Sequence, residues 1–413
     1  MTSSHATGLL WAILAGVIAG IICGAWFGPQ MMAIEWVGTL FLNALKMTII
    51  PLIIAAVISG VTALGDVRRL GRIGGFTVLY YASTTAVAVT LGLLVVNVMQ
   101  PGIGVAELSE AIPESVAARE ATSLADIVLQ MVAPNLVAAA ADMQLLPIIV
   151  FALLFAAALT TVGSRGEPVI AFFDGLNETM MKIVVWIMYL APLGIFALVG
   201  AQLGKAGGGE SFLLQIMAVG KYVLTVLLGL ALHFVFLVVV LRLLAGRGMD
   251  YLRSLLRALL TAFGTGSSSA TLPLTMECAR EAGTDDRAVR FVLPLGATIN
   301  MDGTALYEAV AVMFIAQAYG YDLGFTQQMI IFVTATLAAI GAAGIPQAGL
   351  VTMILVLTAV NLPLEGIGLL LAVDWFLDRF RTTINVWGDA VGAAVVSSLL
   401  HRAGAKSALK GSA

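Results

Sequence analysis

The feature that most constrains this sequence is the recurrence of apolar runs as long as a bilayer is thick. A helix rises about 1.5 Å per residue, so ~20 apolar residues cross the hydrocarbon core. Runs of that order lie at about 9–27, 37–63, 76–99, 125–160, 170–200 and 212–244. Only 11% of the 413 residues are charged and 60% are hydrophobic, against roughly a quarter charged in soluble proteins. In lipid every backbone polar group has to be satisfied within the segment or its partners, which leaves helices as the reading for runs of this length. The chain is therefore expected to be an all-α polytopic membrane protein. No Lys or Arg precedes Leu9–Phe27 and further spans follow it, so this run is expected to be a retained first span and not a cleaved signal peptide.

Beyond residue 250 the pattern changes. Positions 258–279 and 328–360 are apolar but interrupted by Gly, Pro and Ser, whereas 288–319 and 366–400 read as longer helices. Loop charge gives the orientation, because cytoplasmic loops of membrane proteins are enriched in Lys and Arg. Fourteen such residues fall in 66–73, 160–168, 242–257, 280–290 and the tail, while the opposite loops hold only Arg119 and Lys205. Both termini are therefore expected to be cytoplasmic. That bookkeeping requires 258–279 to enter and leave on the cytoplasmic side, and 328–360 to do the same from outside. Such re-entrant hairpins are tolerated only where the broken backbone is buried in protein or lines a cavity. Paired interrupted segments in two inverted units point to a transporter binding site near mid-membrane, although channels use re-entrant loops too.

Polar residues concentrate in this C-terminal part. In "DWFLDRFRTTINVWGD", residues 374–389, Asp374, Asp378, Arg381, Thr382, Asn385 and Asp389 recur every three or four positions and share one helical face. A charge at mid-bilayer costs roughly 2.5–3.5 kcal/mol on insertion scales, so this face does not point at lipid. It is either an internal salt-bridge stripe or a ligand-lining face. Arg381 beside Asp378 suits a zwitterionic or acidic solute, with guanidinium for carboxylate and carboxylate for ammonium. "NMDGT", Asn300–Thr304, supplies hard oxygen ligands of the kind an alkali cation takes, with a polar-stabilised kink as the plainer reading. "GTGSSSATLP", Gly264–Pro273, suits a turn whose freed N–H groups and hydroxyls face an anion, or simply a tightly packed hairpin tip. "AIGAAGIPQAG", Ala339–Gly349, offers only backbone. Glu308, four residues beyond Thr304 in an apolar helix, is a candidate proton carrier or a hydrogen-bonded structural carboxyl. Tyr80, Tyr81, Thr84 and Thr85 put hydroxyls in the third span, where interhelical hydrogen bonds are the plainer reading.

Taken in order, "KMTIIPLIIAAVISGV" (46–61), the serine-rich hairpin, "NMDGTALYE", "GAAGIPQAG" and "DRFRTTINVWGD" resemble the dicarboxylate/amino acid:cation symporters. This is the family of the excitatory amino acid transporters and their archaeal aspartate homologues, and the likeness, to a bacterial-type member, spans nearly the whole chain. It implies eight transmembrane helices plus two inverted re-entrant hairpins. Scaffold helices would occupy 1–75 and 125–210, and a transport domain would be formed by 76–124, 211–249 and the core 250–413. It also implies a homotrimer in the cell membrane, surrounded by lipid, with the second hairpin as extracellular gate and an elevator motion of the transport domain.

By the same resemblance Ser268 and Asn385 would hold an α-carboxylate, with backbone near Gly266, Ile345, Ala348 and Gly349. Asp378 would take the amino group and Arg381 the side-chain carboxylate, with Thr304 and Thr382 nearby. One sodium would lie among Asp389, Asn385, Gly296 and Asn300. A second would use Asp302, Asn300, Tyr81, Thr84 and Thr85, and a third Thr298, Ala339, Ile340 and Ala342. Glu308 would carry the coupled proton. Arg381 implies aspartate or glutamate over neutral amino acids, and Asp378 argues against C4-dicarboxylates lacking an amine. Gly266 before the serine run, with Arg379 after Asp378, follows the animal transporters. Asp374 and Arg379 take no firm role, though Arg379 is placed to reach the serine hairpin across Gly266.

The expected function is thus uptake of L-glutamate or L-aspartate with sodium, and protons, as coupling ions and no cofactor. The alternative is a proton-only glutamate, aspartate or C4-dicarboxylate symporter; a channel is more remote. An enzyme using Ser267–Ser269 lacks a basic partner, because none of His5, His233 and His401 lies near the serine motif. Cys23 and Cys278 are far apart without metal-ligand spacing, and a net charge of −3 with no basic block gives no reason to expect nucleic acid.

Overall fold

The computed structural model describes residues 3–63, 71–103, 129, 131–142, 144–205, 209–341 and 348–411. Among these residues there is no strand, and fifteen α-helices follow one another. They are α1 (Ser3–Phe27), α2 (Glu35–Thr62), α3 (Gly71–Met99), α4 (Leu136–Ala141), α5 (Leu145–Leu159), α6 (Glu167–Met188), α7 (Ala191–Lys205) and α8 (Gly209–Val240). The C-terminal part holds α9 (Met249–Thr265), α10 (Ser268–Glu281), α11 (Asp286–Ile299), α12 (Asp302–Ala318), α13 (Phe325–Gly341), α14 (Ala348–Ala359) and α15 (Ile367–Gly411).

Five stretches are long and apolar enough to cross a membrane: Trp11–Thr62, Ile73–Met99, Met217–Ala245, Asp286–Ala318 and Val373–Arg402. A sixth is made by Gly163–Met188 and Ala191–Ala201 together, bent by 56°. The run expected at 170–200 is thus broken, because Pro192 has no N–H to continue the ladder of α6. The run expected at 125–160 resolves, in its described part, into α4 and α5, separated around Asp142. Exposed large side chains such as Trp26, Trp36, Met47, Leu79 and Leu224 cover the outside of α1, α2, α3 and α8. Water would penalise such a surface, and lipid does not.

Packing divides the helices by neighbour. α1 lies along α7, and α2 along α5, α6 and α7. α3 and α8 pack on α12 and α15, α9 pairs with α10, α13 pairs with α14, and α11 runs against α15. The two groups meet where α13 and α14 touch α2 and where α15 touches α7. At the centre is α12, buried at every position from Asp302 to Ala316. A helix enclosed on all sides is apolar all round, which makes its few polar residues conspicuous.

Two local breaks matter for function. α9 ends at Gly266, whose φ of +62° is the left-handed conformation that a residue without Cβ adopts freely. Ser267 then caps α10, its side chain accepting from the Ala270 N–H at 3.1 Å. Between α11 and α12 the ladder is interrupted at Asn300 (φ −119°, ψ 84°) and Met301 (φ −115°, ψ 64°). The expected continuous helix over 288–319 is therefore two helices joined inside "NMDGT". The break exposes backbone polar groups that partners have to satisfy.

Candidate functional site

Arg381, fully buried on α15, is the centre of the first cluster. Its Nη2 donates to Asp378 Oδ1 at 2.8 Å, one turn away on the same helix. Asp374 Oδ1 lies 3.0 Å from the same nitrogen, an ion-pair contact without hydrogen-bond alignment. The guanidinium carbon stands 3.9 Å above the ring centre of Tyr307 on α12, within cation–π range. Nε and Nη1 meet no acceptor among the described residues. Both acidic neighbours thus hold one nitrogen, and other donors stay available to an incoming anion. Gly349, at the start of α14, lies against this guanidinium: a Cβ there would run into Nη1 and come to 3.0 Å from Cζ.

The tip between α9 and α10 borders the same place. A Cβ on Gly266 would lie 3.0 Å from Asp378 Oδ2 and 3.1 Å from Arg379 Nη1. Arg379 donates from Nη1 to the Gly264 carbonyl at 2.6 Å, fastening α15 to the end of α9 across Gly266. Ser268, Thr304, Thr382 and Asn385 are all buried here. Asn385 ties α15 to the helix break, accepting from the Gly303 N–H at 2.8 Å and donating to Thr304 Oγ1 at 3.2 Å.

Asn385 also adjoins the second cluster, around Asn300 and Asp302. Asp302 Oδ1 accepts from Thr85 Oγ1 of α3 at 2.7 Å, and Oδ2 lies 3.0 Å from His233 Nε2 of α8. Asn300 Nδ2 donates to Asp389 Oδ1 at 2.9 Å, and its Oδ1 is 3.5 Å from the Thr85 hydroxyl. Tyr81 donates to the Val292 carbonyl at 2.6 Å, and Thr84 to the carbonyl of Tyr81 at 3.3 Å. Asp389 fits against Gly296: a Cβ there would collide with the carboxylate and come to 2.6 Å from the Tyr81 hydroxyl. Carboxylates, amide oxygens and hydroxyls brought together from α3, α11, α12 and α15 form an all-oxygen set of the kind hard cations take.

Six further expected positions, four for the third cation and two for the substrate, lie outside these two clusters or outside the described side chains. Thr298 donates to the Leu295 carbonyl of its own helix at 2.8 Å, and Ala339 and Ile340 lie on α13, which packs against α11. Ala342 and Ile345 are outside the described residues, and of Ala348 only the backbone, in α14, is described.

Glu308 is one turn beyond Thr304 on α12, with no exposed surface. Thr352 of α14 is the hydroxyl beside it, and neither carboxyl oxygen makes an aligned hydrogen bond among the described residues. Two contributors escaped the sequence reading, Tyr307 as the ring beneath Arg381 and His233 as a partner of Asp302, while Asp374, read on the face of Arg381 without a firm role, contacts its guanidinium. A lone His inside "LLGLALHFVFLVVV" was a usable signal, because a polar residue in an apolar helix needs a partner.

Residues 9–399 match the model of the sodium:dicarboxylate symporter family. An excitatory amino acid transporter 1 of Ambystoma tigrinum is 37% identical, over 94% of this chain and 81% of its own. An excitatory amino acid transporter of Caenorhabditis elegans is 38% identical, over 94% and 87%. A neutral amino acid transporter B(0) of Bos taurus is 39% identical, over 95% and 79%. Relatives of comparable identity are thus named both as excitatory and as neutral amino acid transporters.

Proposed function

We propose, since this chain belongs to the sodium:dicarboxylate symporter family, that it is a multi-pass membrane symporter bringing L-aspartate or L-glutamate across together with sodium. Arg381 is the observation that carries the choice of an acidic substrate. It is a buried guanidinium with two nitrogens undonated among the described residues and Asp378 one turn away. A substrate carboxylate would take those donors, its ammonium would pair with Asp378, and its α-carboxylate would meet Ser268, Asn385 and the start of α10. Thr304 and Thr382 would complete the lining, with backbone near Gly266, Ile345, Ala348 and Gly349. A neutral amino acid would leave the guanidinium buried and incompletely paired, a penalty that site-specific polar groups turn into discrimination.

Charge balance supplies the reason for cation coupling. Asp302, Asp374, Asp378 and Asp389 are all buried, and the buried guanidinium of Arg381 pairs with Asp374 and Asp378 while Asp302 and Asp389 lie in the other cluster. An acidic amino acid adds a further net negative charge, and burying uncompensated charge in a membrane is costly. Monovalent cations entering with the substrate offset that excess. The oxygens of Asn300, Asp302, Thr85, Tyr81 and Thr84, and those of Asp389, Asn385 and Gly296, are the proposed sodium ligands. Thr298 with Ala339, Ile340 and Ala342 would form a third set, and Glu308 would carry a proton. The group of α3 and α8–α15 is proposed to move as an elevator against α1, α2 and α4–α7 within a homotrimer, both termini being cytoplasmic. The eight-span, two-hairpin topology of the family underlies this scheme.

Counter-flow uptake into proteoliposomes tests the proposal directly. Labelled aspartate or glutamate should accumulate when sodium is present and not when choline replaces it. Accumulation driven by protons alone would move the protein to a proton-coupled symporter. Current without solute accumulation would make it a channel.

A further inference from the structure

Among the described side chains of the Asp302 mesh, His233 is the one that brings no oxygen. It lies in α8, within an otherwise apolar stretch, and has no exposed surface. Its ring stacks on Phe236, with centroids 5.6 Å apart and planes 29° from parallel. Nε2 is 3.0 Å from Asp302 Oδ2, and Nδ1 has no partner among the described residues. Facing a carboxylate, Nε2 is the nitrogen that bears hydrogen and donates.

The consequences run through Asp302. Its Oδ2 is held by His233 and its Oδ1 by the Thr85 hydroxyl at 2.7 Å, so the carboxylate is clamped from two helices. The backbone of α15 closes the third side, where a Cβ on Gly388 would lie 3.3 Å from Oδ2 and 3.5 Å from Asn300 Nδ2. The Thr85 hydroxyl, which donates to Asp302, also lies 3.5 Å from Asn300 Oδ1, so the two side chains share it. Asn300 is in turn oriented by donating to Asp389. Asp302 and Asn300 are thus each oriented by hydrogen bonds, and His233 anchors the carboxylate end of that chain.

We infer that His233 is a positioning residue for a cation held by Asn300, Asp302 and Thr85, orienting the Asp302 carboxylate without ligating the ion. The inference rests on reading this mesh as a cation site. An imidazole nitrogen is a poor ligand for an alkali cation, whereas groups that orient a ligand through its second atom strongly influence affinity.

The test is sodium titration of purified, substrate-free protein, read by intrinsic tryptophan fluorescence, with aspartate KM measured separately at saturating sodium. His233→Leu should raise the half-saturating sodium concentration about 10–100-fold, the usual loss on removing an orienting partner. It should leave aspartate KM at saturating sodium near the wild-type value. His233→Gln, whose amide N–H can reach Oδ2, should restore sodium affinity to within about threefold. Asp302→Ala serves as the control for the site itself. An unchanged sodium response in H233L with a lost response in D302A overturns the role of His233 alone. An unchanged response in D302A overturns the cation-site reading beneath it. Equal damage in H233Q and H233L, both folded by thermal melt, overturns the donor argument in favour of ring packing. Should H233L fail to fold, His233→Asn replaces it, its shorter amide falling short of Oδ2.

Discussion

The guanidinium carbon of Arg381 stands 3.9 Å above the ring centre of Tyr307, and both side chains are buried. Two carboxylates on one side, an aromatic face beneath and Gly349 against its edge fix the orientation of this cation. Arg381 is thus held in one orientation, as the anion receptor proposed above requires. Lysine would not replace it, because a point charge on a flexible stem has neither the planar fork nor the stacking face.

Arg381→Cys should abolish aspartate and glutamate uptake while leaving binding of some neutral amino acids measurable. Undiminished acidic uptake in proteoliposomes would remove Arg381 from the substrate site. Losing the guanidinium also leaves Asp374 and Asp378 buried without their partner, which costs about 3–5 kcal/mol in comparable buried pairs. The thermal midpoint of the substrate-free protein should fall accordingly. Asp374→Asn added to Arg381→Cys should recover part of that loss, because it removes one of the stranded charges.

Legibility in the sequence followed the physics of each feature. Bilayer-length runs and the three-to-four-residue spacing of Asp374, Asp378, Arg381, Asn385 and Asp389 are local patterns, and the helix α15 presents them as the spacing implies. The interruption inside "NMDGT" was legible only as a kink, because Asn300 and Met301 leave helical geometry where the Asn300 side chain meets Thr85 of α3 and Asp389 of α15. Pro192 marked a break that mean apolarity over 170–200 concealed. Pairings between distant helices, such as His233 with Asp302 sixty-nine residues away, have no local signature at all. Arg379 is intermediate: its reach to the serine hairpin was foreseeable from Gly266, and its hydrogen bond goes to Gly264.

Gly296 is there because Asp389 and Tyr81 need the space. A methyl group would lie 2.5 Å from the Asp389 carboxylate carbon and 2.6 Å from the Tyr81 hydroxyl, contacts that have to be relieved by displacing one of them. Overpacking of this kind costs about 1–3 kcal/mol. Gly296→Ala should therefore lower thermal stability modestly and raise the sodium concentration needed for half-maximal uptake. A variant with wild-type sodium dependence would mean that Asp389 takes no part in cation binding.

Glu308 carries a carboxyl into the enclosed helix α12, with the Thr352 hydroxyl beside it. A group that crosses the membrane protonated makes net uptake depend on pH, and its amide analogue cannot release a proton. Glu308→Gln should thus flatten the pH profile of net uptake while leaving exchange of internal for external substrate intact. The comparison of the two modes is made in the same vesicles. A pH profile identical to wild type would send the proton along another route.

The proposed cation coupling rests on buried carboxylates in excess of the buried guanidinium, with Asp302 and Asp389 apart from Arg381, so the number of those carboxylates should govern the sodium dependence. Asp389→Asn removes one negative charge while keeping an acceptor near Asn300 and Gly296. The electrostatic demand for one cation then falls, and one ligand oxygen becomes neutral. Uptake plotted against sodium concentration should become less steep, with half-saturation moved about tenfold or more to higher sodium, as loss of a charged partner at a buried site predicts. Aspartate should still bind at saturating sodium, because Arg381 and Asp378 are untouched. An unaltered slope would show that Asp389 serves only to orient Asn300, and would confine the coupling charge to Asp302.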